Sequence, residues 1–378
     1  MGVFCESLGL KLAFGTTLLE RGLQATGIDG IGQYCQELLY QFGKNPQALT
    51  AQLYTFGLEA SNPNAPTHRF PSYGRYAIAS QLKTNHASWF DSVDLVHATD
   101  QLMPLCQRPV IATVMDVIPL SHPQFIKSPS RFLKANLWKY LTRRAARIIT
   151  ISEFSKTQIA HYFDYPTERI DVIPLGVNTQ YFERLSEQTK NDVLSRLGIN
   201  SSFFIFIGSI QPRKNLQRLI LAHAKLPRDL ARQFPLVIAG KVAWDDGDIL
   251  KSIKRGVAEK RCIYLNYVSD LEKRCLLQSA VAMSFVSLYE GFGLPILEAF
   301  ASELPVLTSN CSAMPEVTQS AALLVDPIQE SAITEALLEL INNRNRCEEL
   351  QAAGLARAHE YSWENTFMQT LASYQKVI

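Results

Sequence analysis

The sequence predicts an α/β protein with two domains, each built on a mostly parallel β-sheet that helices cover on both faces. Short apolar runs alternate with segments of helical periodicity along almost the whole chain, a pattern typical of parallel sheets. The runs are continuous, as in Phe203–Ile207 (FFIFI), which indicates strands buried on both faces. The length of 378 residues also fits two domains.

The order of these segments predicts the domain boundaries. The strand-like segment Asp171–Pro174 is followed by a turn at Leu175–Asn178. We therefore expect an N-terminal domain over residues 1–180 and a C-terminal domain over residues 181–360. Residues 361–378 have the pattern of a final helix, which we expect to cross back to the N-terminal domain.

Composition places the chain among globular proteins. Hydrophobic residues make up 47% and charged residues 19% of the sequence, which is ordinary for this class, and no apolar run approaches the roughly 18 residues of a membrane span. A net charge of +2 is too small to indicate nucleic acid as a partner. Seven cysteines, widely spaced and without a Cys-x-x-Cys pair, favour a reducing, cytoplasmic location and argue against structural zinc.

One stretch departs from this balance of charge. Residues 127–147 contain no acidic side chain, and apolar residues such as Trp138 and Tyr140 are interleaved with basic ones. The basic residues are Lys127, Arg131, Lys134, Lys139, Arg143, Arg144 and Arg147. A basic amphipathic helix of this kind is typical of proteins that bind an anionic membrane surface. The alternative is a domain helix with a solvated basic face.

The first half of the chain begins with a predicted strand, Leu10–Phe14, and a glycine-containing loop, Gly27–Gly32, which leads into a predicted helix, Gln33–Phe42. A strand, a glycine loop and a helix start together form a candidate phosphate site, with Gly30 and Gly32 as its residues. The loop departs from the dinucleotide fingerprint because no glycine follows three residues after Gly32. Alone it is weak support for a site.

Two further runs of the first half end in polar residues. Asp94–Ala98 contains His97 near its end, and Asp116 follows Pro109–Met115. Ligands meet the carboxyl ends of strands in parallel sheets, so both residues are site candidates by position. The alternatives are a histidine satisfied within the core and an aspartate that caps a helix. Residues 61–75 contain three prolines and predict a surface loop.

The second half repeats the alternation of strands and helices. Phe203–Ile207 runs into Gly208, and Arg213 and Lys214 follow where the strand gives way to a helix. Arg at such a position can clamp a diphosphate as a fork, and Lys can act as a point charge. The alternative is that the two are ordinary surface residues. The other predicted strands are Leu236–Gly240, Cys262–Leu265, Ala280–Val286, Pro305–Thr308 and Ala322–Asp326.

The most informative stretch follows the strand Ala280–Val286. Glu290 precedes the turn Gly291–Gly293, and Pro295 suits a first helical position. The glycines and the helix start predict an anion site. Glu290 and Glu298 are better suited to hydroxyls than to phosphate, and a ligand with both groups is a sugar nucleotide. The alternative is a tight turn followed by a glutamate that complements the helix dipole.

Several segments, in this order, are similar to the retaining glycosyltransferases of family 4. That family has the GT-B architecture, in which two Rossmann-like domains face each other across a cleft. The similar segments span nearly the whole chain. They are Gly30–Gly32, Asp116–Leu120, Ile151–Lys156, Ile173–Val177, Gly208–Leu216, Tyr267–Asp270 and Glu290–Glu298.

The resemblance implies roles for individual residues. The chain is most similar to the mannosyltransferase-like branch that builds O-antigen and other surface polysaccharides, so GDP-mannose is the favoured donor substrate, with no separate cofactor. The resemblance places Glu290 on donor-sugar hydroxyls and Glu298 on the ribose. Further donor-binding residues are Gly30, Gly32, Gly208, Val268, Gly291, Phe292, Gly293 and Leu294, and Arg213, Lys214, Glu290 and Asp116 are the catalytic candidates.

The resemblance also implies a glycan or lipid-linked acceptor on the N-terminal domain, where His97 and Met115 are candidates. The acceptor and the basic stretch together suggest a cytoplasmic protein that binds the inner face of the membrane. Because Arg213, Lys214 and a helix start offer positive partners for a leaving diphosphate, we expect chemistry without a metal.

One departure from the family pattern stands at Met115, where the family usually has His. The loss of this histidine is expected to weaken activity, to alter donor choice or to mark a lapsed enzyme. Two alternatives to a transferase therefore remain. One is a sugar-nucleotide-binding subunit without turnover, and the other is a non-hydrolysing sugar-nucleotide epimerase, which shares the architecture.

Overall fold

A computed structural model describes residues 9–25, 27–61, 67–81, 85–127, 130–244 and 247–378. The chain divides into two compact units. Met1–Gly176 together with Trp363–Ile378 forms the first, called here the N-terminal domain, and Val177–Ser362 forms the second, the C-terminal domain. No helix in the described part of the chain is both long and apolar enough to cross a membrane.

The N-terminal domain is built on one parallel sheet, which in the described residues has seven strands. The strands are β1 (Leu10–Gly15), β2 (Leu49–Phe56), β3 (Thr67–Phe70), β4 (Leu95–Ala98), β5 (Val110–Thr113), β6 (Arg147–Thr150) and β7 (Ile170–Val172). Their order across the sheet is β3-β2-β1-β4-β5-β6-β7. Every pair is parallel.

Helices connect these strands and cover the sheet. They are α1 (Thr17–Gln24), α2 (Gly30–Lys44), α3 (Tyr73–Gln81), α4 (Ile118–Ser121), α5 (Arg131–Thr142) and α6 (Glu153–Phe163). Short 3₁₀ turns lie at Asn85–Ser92, Pro123–Phe125 and Thr167–Arg169. The start of α6 is capped by Ser152, whose hydroxyl accepts a hydrogen bond from the Ser155 N–H at 3.0 Å.

The C-terminal domain has its own parallel sheet, with six strands among the described residues. They are β8 (Phe204–Ile207), β9 (Leu236–Ala239), β10 (Cys262–Leu265), β11 (Ala282–Phe285), β12 (Val306–Ser309) and β13 (Leu323–Val325), in the order β10-β9-β8-β11-β12-β13. The helices are α7 (Glu187–Arg196), α8 (Leu216–Ala224), α9 (Arg228–Gln233), α10 (Asp248–Ala258), α11 (Asp270–Ser279), α12 (Leu294–Ala301), α13 (Met314–Thr318), α14 (Glu330–Asn342) and α15 (Arg344–Ala358). The predicted class, α/β with two parallel-sheet domains, is confirmed.

Both sheets change direction beside their first strand. Strand β1 lies between β2 and β4, and β8 lies between β9 and β11. The two connections that leave such a point run to opposite sides, so a crevice remains at the carboxyl ends of the two central strands. In the C-terminal domain these ends lead into the segments that contain Arg213, Lys214 and Glu290.

The predicted surface loop over residues 61–75 is wrong for its described part. Residues 67–70 form the edge strand β3, which pairs in register with β2. Phe70 is buried and stacks on Phe56 and Phe90, with ring centroids 5.5 and 5.2 Å apart. Packing of aromatic side chains therefore outweighs the local signal of the prolines, of which Pro63 and Pro66 lie outside the described residues.

The last helix, α16 (Trp363–Gln375), packs on α2 and β6 of the N-terminal domain. The Tyr374 hydroxyl lies 2.7 Å from His97 Nδ1, and the Thr113 hydroxyl lies 2.7 Å from His97 Nε2. Asp171 on β7 accepts hydrogen bonds from Ser373 and Lys376, both at 2.7 Å. Buried polar contacts therefore fix this helix against the sheet.

The His97 network predicts the effect of Tyr374→Phe. The substitution keeps the ring but leaves His97 Nδ1 without its partner, and an unsatisfied buried polar atom costs about 1 to 3 kcal/mol. We expect the melting temperature to fall by about 2 to 4 °C for each kcal/mol. Tyr140→Phe is the matched control because Tyr140 is 64% exposed. Equal melting temperatures for the two variants would contradict the network's role in docking α16.

Candidate active site

A buried ion cluster lies after β8 and β11, at the carboxyl ends of the two central strands of the C-terminal domain. Glu290 Oε1 lies 2.8 Å from Arg213 Nη1 and 2.7 Å from Lys214 Nζ. The side chains of Glu290 and Lys214 are less than a tenth exposed, and that of Arg213 is 18% exposed. Lys214 Nζ also lies over the Phe285 ring, 4.5 Å from its centroid. The structure thus brings together three predicted site residues.

The two neighbouring cations determine the ionisation state of Glu290 in this cluster. Burial alone raises the pKa of Glu290, but the charges of Arg213 and Lys214 outweigh burial and lower that pKa to about 2. Glu290 is therefore an ionised hydrogen-bond acceptor at neutral pH. Two cations around one carboxylate leave a net positive charge in a buried site, which suits an anionic ligand.

Asn215 holds the loop after β8 in place. Its backbone has a φ of 57°, in the left-handed region that Asn tolerates better than most residues. The side-chain amide donates to the carbonyls of Val286 and Pro327 at 2.9 and 2.7 Å. The Leu288 N–H donates to the Arg213 carbonyl at 2.8 Å. These bonds connect the loops that follow β8 and β11, and so position Arg213 and Lys214 against Glu290.

The glycine turn lies between Glu290 and α12. The Glu290 N–H donates to the Ser312 hydroxyl at 3.1 Å, and Gly291 follows it. Gly293 has a φ of 110°, which side chains other than glycine rarely adopt. Helix α12 begins at Leu294, which makes the predicted first position, Pro295, the second. The turn therefore needs its glycine and ends directly in a helix N-terminus.

Phe292 and Leu294 frame this turn with apolar contacts. Both are less than a tenth exposed, and the Phe292 ring meets the Tyr361 ring edge to face with centroids 5.7 Å apart. Gly208 follows β8 with a φ of 151°, a backbone conformation that side chains other than glycine rarely adopt. The turn after β8 therefore favours glycine at this position.

Glu298 lies on α12 and pairs with a different cation from those of the Glu290 cluster. It is 2% exposed, and its Oε2 lies 2.6 Å from Lys273 Nζ on α11. Tyr181 is buried beside the pair, with Lys273 Nζ 5.3 Å from its ring centroid. Val268 is half-buried in the connection between β10 and α11, beside the helix cap Ser269. The structure therefore supports Glu298 as a fixed carboxylate and leaves Val268 accessible.

In the N-terminal domain, the glycine loop leads into α2, which begins at Gly30, three residues before the predicted start. The Gly32 N–H donates to Asp29 Oδ1 at 2.8 Å, so a carboxylate of the chain already caps this helix. A Cβ at Gly32 would lie 2.5 Å from Ile28 Cγ2. Packing alone therefore requires a glycine at this position.

Three predicted residues lie in or after two strands of the same sheet, His97 within β4 and Met115 and Asp116 after β5. His97 is fully buried and both ring nitrogens are hydrogen-bonded, and burial lowers its pKa to about 3. The prediction of His97 as an acceptor-side residue is corrected on this ground, because it is a core histidine. Asp116 accepts a hydrogen bond from the Ile118 N–H at 3.0 Å, two residues before α4 begins. Met115 is half-buried, and its carbonyl accepts from the Ser155 hydroxyl at 2.9 Å.

The sequence did not indicate four of the residues that shape these sites. They are Asn215, whose side chain connects two loops, and Ser312, Lys273 and Tyr181. Lys273 lies 25 positions before its partner Glu298, on a different helix, and no local pattern joins the two. In the described residues no group of three or more His, Cys, Asp and Glu side chains is arranged to hold a metal ion.

Comparison with known proteins identifies two family models in the chain. Residues 28–181 match the model described as Glycosyltransferase Family 4. Residues 190–357 match the model described as Glycosyl transferases group 1. The two matches fall on the N-terminal and C-terminal parts of the chain in turn.

Similar proteins named as mannosyltransferases agree with these two family models. O-antigen chain mannosyltransferase B of Escherichia coli is 32% identical over 283 residues, which cover 74% of each chain. The serotype-specific mannosyltransferase WbdA of Escherichia coli is 25% identical over 267 residues, 70% of this chain, and the match spans only about one third of the length of WbdA.

The fold is shared with solved glycosyltransferase structures. HepE from Anabaena, solved in complex with UDP and glucose, superposes with a TM-score of 0.77 at 17% identity, over 97% of this chain and all of that one. The chain therefore belongs to the glycosyltransferases of GT-B fold and family 4 type, the group that includes the mannosyltransferase relatives.

Proposed function

We propose that the protein is a retaining, metal-independent glycosyltransferase that transfers mannose from GDP-mannose to a glycan or lipid-linked acceptor. The relatives named as O-antigen mannosyltransferases support mannose as the sugar and a surface polysaccharide as the product. The choice of GDP is carried over from the family resemblance alone. The HepE structure, which shares the fold, holds UDP.

The observation that carries the proposal is the ion cluster of Arg213, Lys214 and Glu290 at the switch point of the C-terminal sheet. A nucleotide sugar presents a diphosphate and several hydroxyls to its site. The two cations suit the diphosphate, and the ionised carboxylate suits the hydroxyls of the donor sugar. The helix start at Leu294 places the positive end of a helix dipole beside them.

In the proposed reaction the bond between the anomeric carbon of the donor sugar and the phosphate oxygen breaks. The acceptor oxygen attacks the anomeric carbon from the same face. The acceptor proton passes to the departing phosphate oxygen, so no protein base is required. Negative charge grows on the diphosphate, and Lys214 and Arg213 stabilise it. A fixed charged partner of this type lowers the barrier by about 3 kcal/mol.

Metal independence follows from this assignment, since two side-chain cations stand where a metal would neutralise the diphosphate. One sequence feature runs against it. Asp246-Gly247-Asp248 has the Asp-x-Asp spacing that metal-dependent transferases use. Asp248 lies 3.2 Å from Lys251 on α10, and Asp246 lies outside the described residues. Assays with EDTA and with added Mg²⁺ therefore belong to the test.

Lys214→Ala should lower turnover at least tenfold while the protein stays folded. Folding is expected to survive because Arg213 still pairs with Glu290. The assay incubates GDP-mannose or UDP-glucose with a synthetic alkyl α-mannoside and detects the product by mass spectrometry. NMR of the new anomeric centre tests retention, which predicts an α linkage from the α-linked donor.

Lys225→Ala is the matched control, since Lys225 pairs with Glu330 on the surface. Normal turnover in Lys214→Ala would remove that lysine from the mechanism. Nucleotide binding by the wild type without product, with any donor or acceptor, would favour the sugar-nucleotide-binding subunit that Met115 suggests. A converted donor without a new glycosidic bond would favour the epimerase.

The acceptor and the site of action are also proposals. We propose that α5 places the enzyme on the anionic inner surface of a membrane, where a lipid-linked acceptor would lie. Trp138 and Leu141 bury one face of α5 against the domain. Leu133, Leu137 and Tyr140 are 73%, 47% and 64% exposed, and their spacing of four and three residues forms a second apolar stripe.

Basic side chains surround this stripe, but not all seven predicted ones. Lys134 and Arg144 are exposed, and Arg143 pairs with Asp164 at the surface. Arg147 is excluded, as a correction, because its guanidinium binds both oxygens of Asp171 at 2.8 Å and is 15% exposed. An apolar stripe among exposed basic side chains fits anionic lipid better than a protein partner.

Vesicle flotation tests this surface. We expect the wild type to bind phosphatidylcholine vesicles that contain about one third phosphatidylglycerol, to bind pure phosphatidylcholine poorly, and to be released by salt. The combined Leu133→Ser, Leu137→Ser and Tyr140→Ser variant should lose at least nine tenths of the binding. The control combines Leu23→Ser, Val257→Ser and Ile328→Ser, at exposed apolar positions elsewhere. Equal binding by both triple variants, or none by the wild type, would contradict the proposal.

A further inference from the structure

Lys273 and Glu298 form a second buried ion pair in the C-terminal domain, in addition to the cluster at Glu290. The Nζ–Oε2 distance is 2.6 Å, and the side chains are 20% and 3% exposed. An ionised carboxylate at such burial is costly unless a cation compensates it. Lys273 is the cation that the structure places there.

Tyr181 completes the arrangement from a third segment, the 3₁₀ turn Thr179–Tyr181. Its ring lies under the Lys273 ammonium, with Nζ 5.3 Å from the ring centroid. Burial and the adjacent Glu298 charge both raise the pKa of the Tyr181 hydroxyl, so Tyr181 is neutral at physiological pH. Tyr181 therefore packs against the ion pair from a third segment.

The start of α11 fixes Lys273 in turn. Ser269 and Glu272 form a reciprocal capping box, which satisfies the free N–H groups of the first turn. The Lys273 N–H donates to the Ser269 carbonyl at 2.8 Å. Lys273 thus projects from a rigid first turn. It lies five residues after Val268, which the family resemblance places against the base of the nucleotide.

We infer that Lys273, with Tyr181, is a positioning residue that pairs with the buried Glu298 side chain and orients it toward the ribose hydroxyls of the donor. The inference rests on the proposed function, in which Glu298 receives those hydroxyls. Lys273 itself need not touch the donor, since it acts through the carboxylate. It also connects α11, on the base side, to α12, on the ribose side.

In the described part of the chain, the cation that pairs with Glu298 is Lys273 from α11, and Tyr181 from the 179–181 turn lies beside the pair. Arg213 and Lys214 pair instead with Glu290, before the glycine turn. Removing the Lys273 charge therefore leaves the buried Glu298 side chain without its cation, which is costly and removes what orients the carboxylate.

The experiment is calorimetric titration of GDP and GDP-mannose into the wild type, Lys273→Met and Lys273→Arg. Lys273→Met should bind both ligands at least tenfold more weakly, because the Glu298 carboxylate loses the cation that holds it. Lys273→Arg should restore most of the affinity, since it keeps the charge. In the transfer assay KM should rise in Lys273→Met more than kcat falls.

A double-mutant cycle distinguishes loss of the Lys273–Glu298 interaction from simple misfolding of the variant. In Glu298→Gln the carboxylate is already neutral, so adding Lys273→Met should weaken binding no further. Lys251→Met, at an exposed lysine, is the matched control. A wild-type affinity in Lys273→Met, or an additive loss in the double variant, overturns the inference. Failure of the wild type to bind any nucleotide would instead overturn the proposed function.

Discussion

The rest of the C-terminal site depends on one constraint, the compensation of buried charge at Glu290. An isolated carboxylate at this depth would protonate, and two isolated cations would be costly to bury. Together they are stable, and the low pKa of Glu290 shows that the cations prevail over burial. The cluster needs the loop bonds of Asn215 and the left-handed turn at Gly293 to bring its members together. A site built this way is charged before any ligand arrives.

The sheet topology explains why this cluster forms where it does. Strand order reverses at β8 and β11, so the segments after these two strands meet at the crevice that a Rossmann-like sheet leaves open. Arg213 and Lys214 come from one segment and Glu290 from the other. The pairing of Lys273 with Glu298 extends the same principle to a second carboxylate. The family resemblance assigns two glutamates to the donor, Glu290 and Glu298. Each of them is paired with at least one largely buried cation.

The sequence predicted the class of fold and the residues of the main cluster, because both depend on local signals. Continuous apolar strands indicate a parallel sheet, and a glycine turn before a helix indicates an anion site. The misses have a common physical origin in contacts between distant residues. His97 stands at the correct strand end but is held in the core by Tyr374, 277 positions away. Strand β3 depends on aromatic packing, and Lys273 meets Glu298 only in the folded chain.

The central claim is that Arg213 and Lys214 hold a diphosphate. Its most direct test is calorimetric binding of GDP, UDP and ADP, each compared with its monophosphate, in EDTA, to the wild type and Arg213→Ala. The account predicts that one diphosphate binds more tightly than its monophosphate and that Arg213→Ala reduces this preference about tenfold, or about 1.4 kcal/mol. A wild type without any such preference, or a preference that survives the substitution, would contradict it.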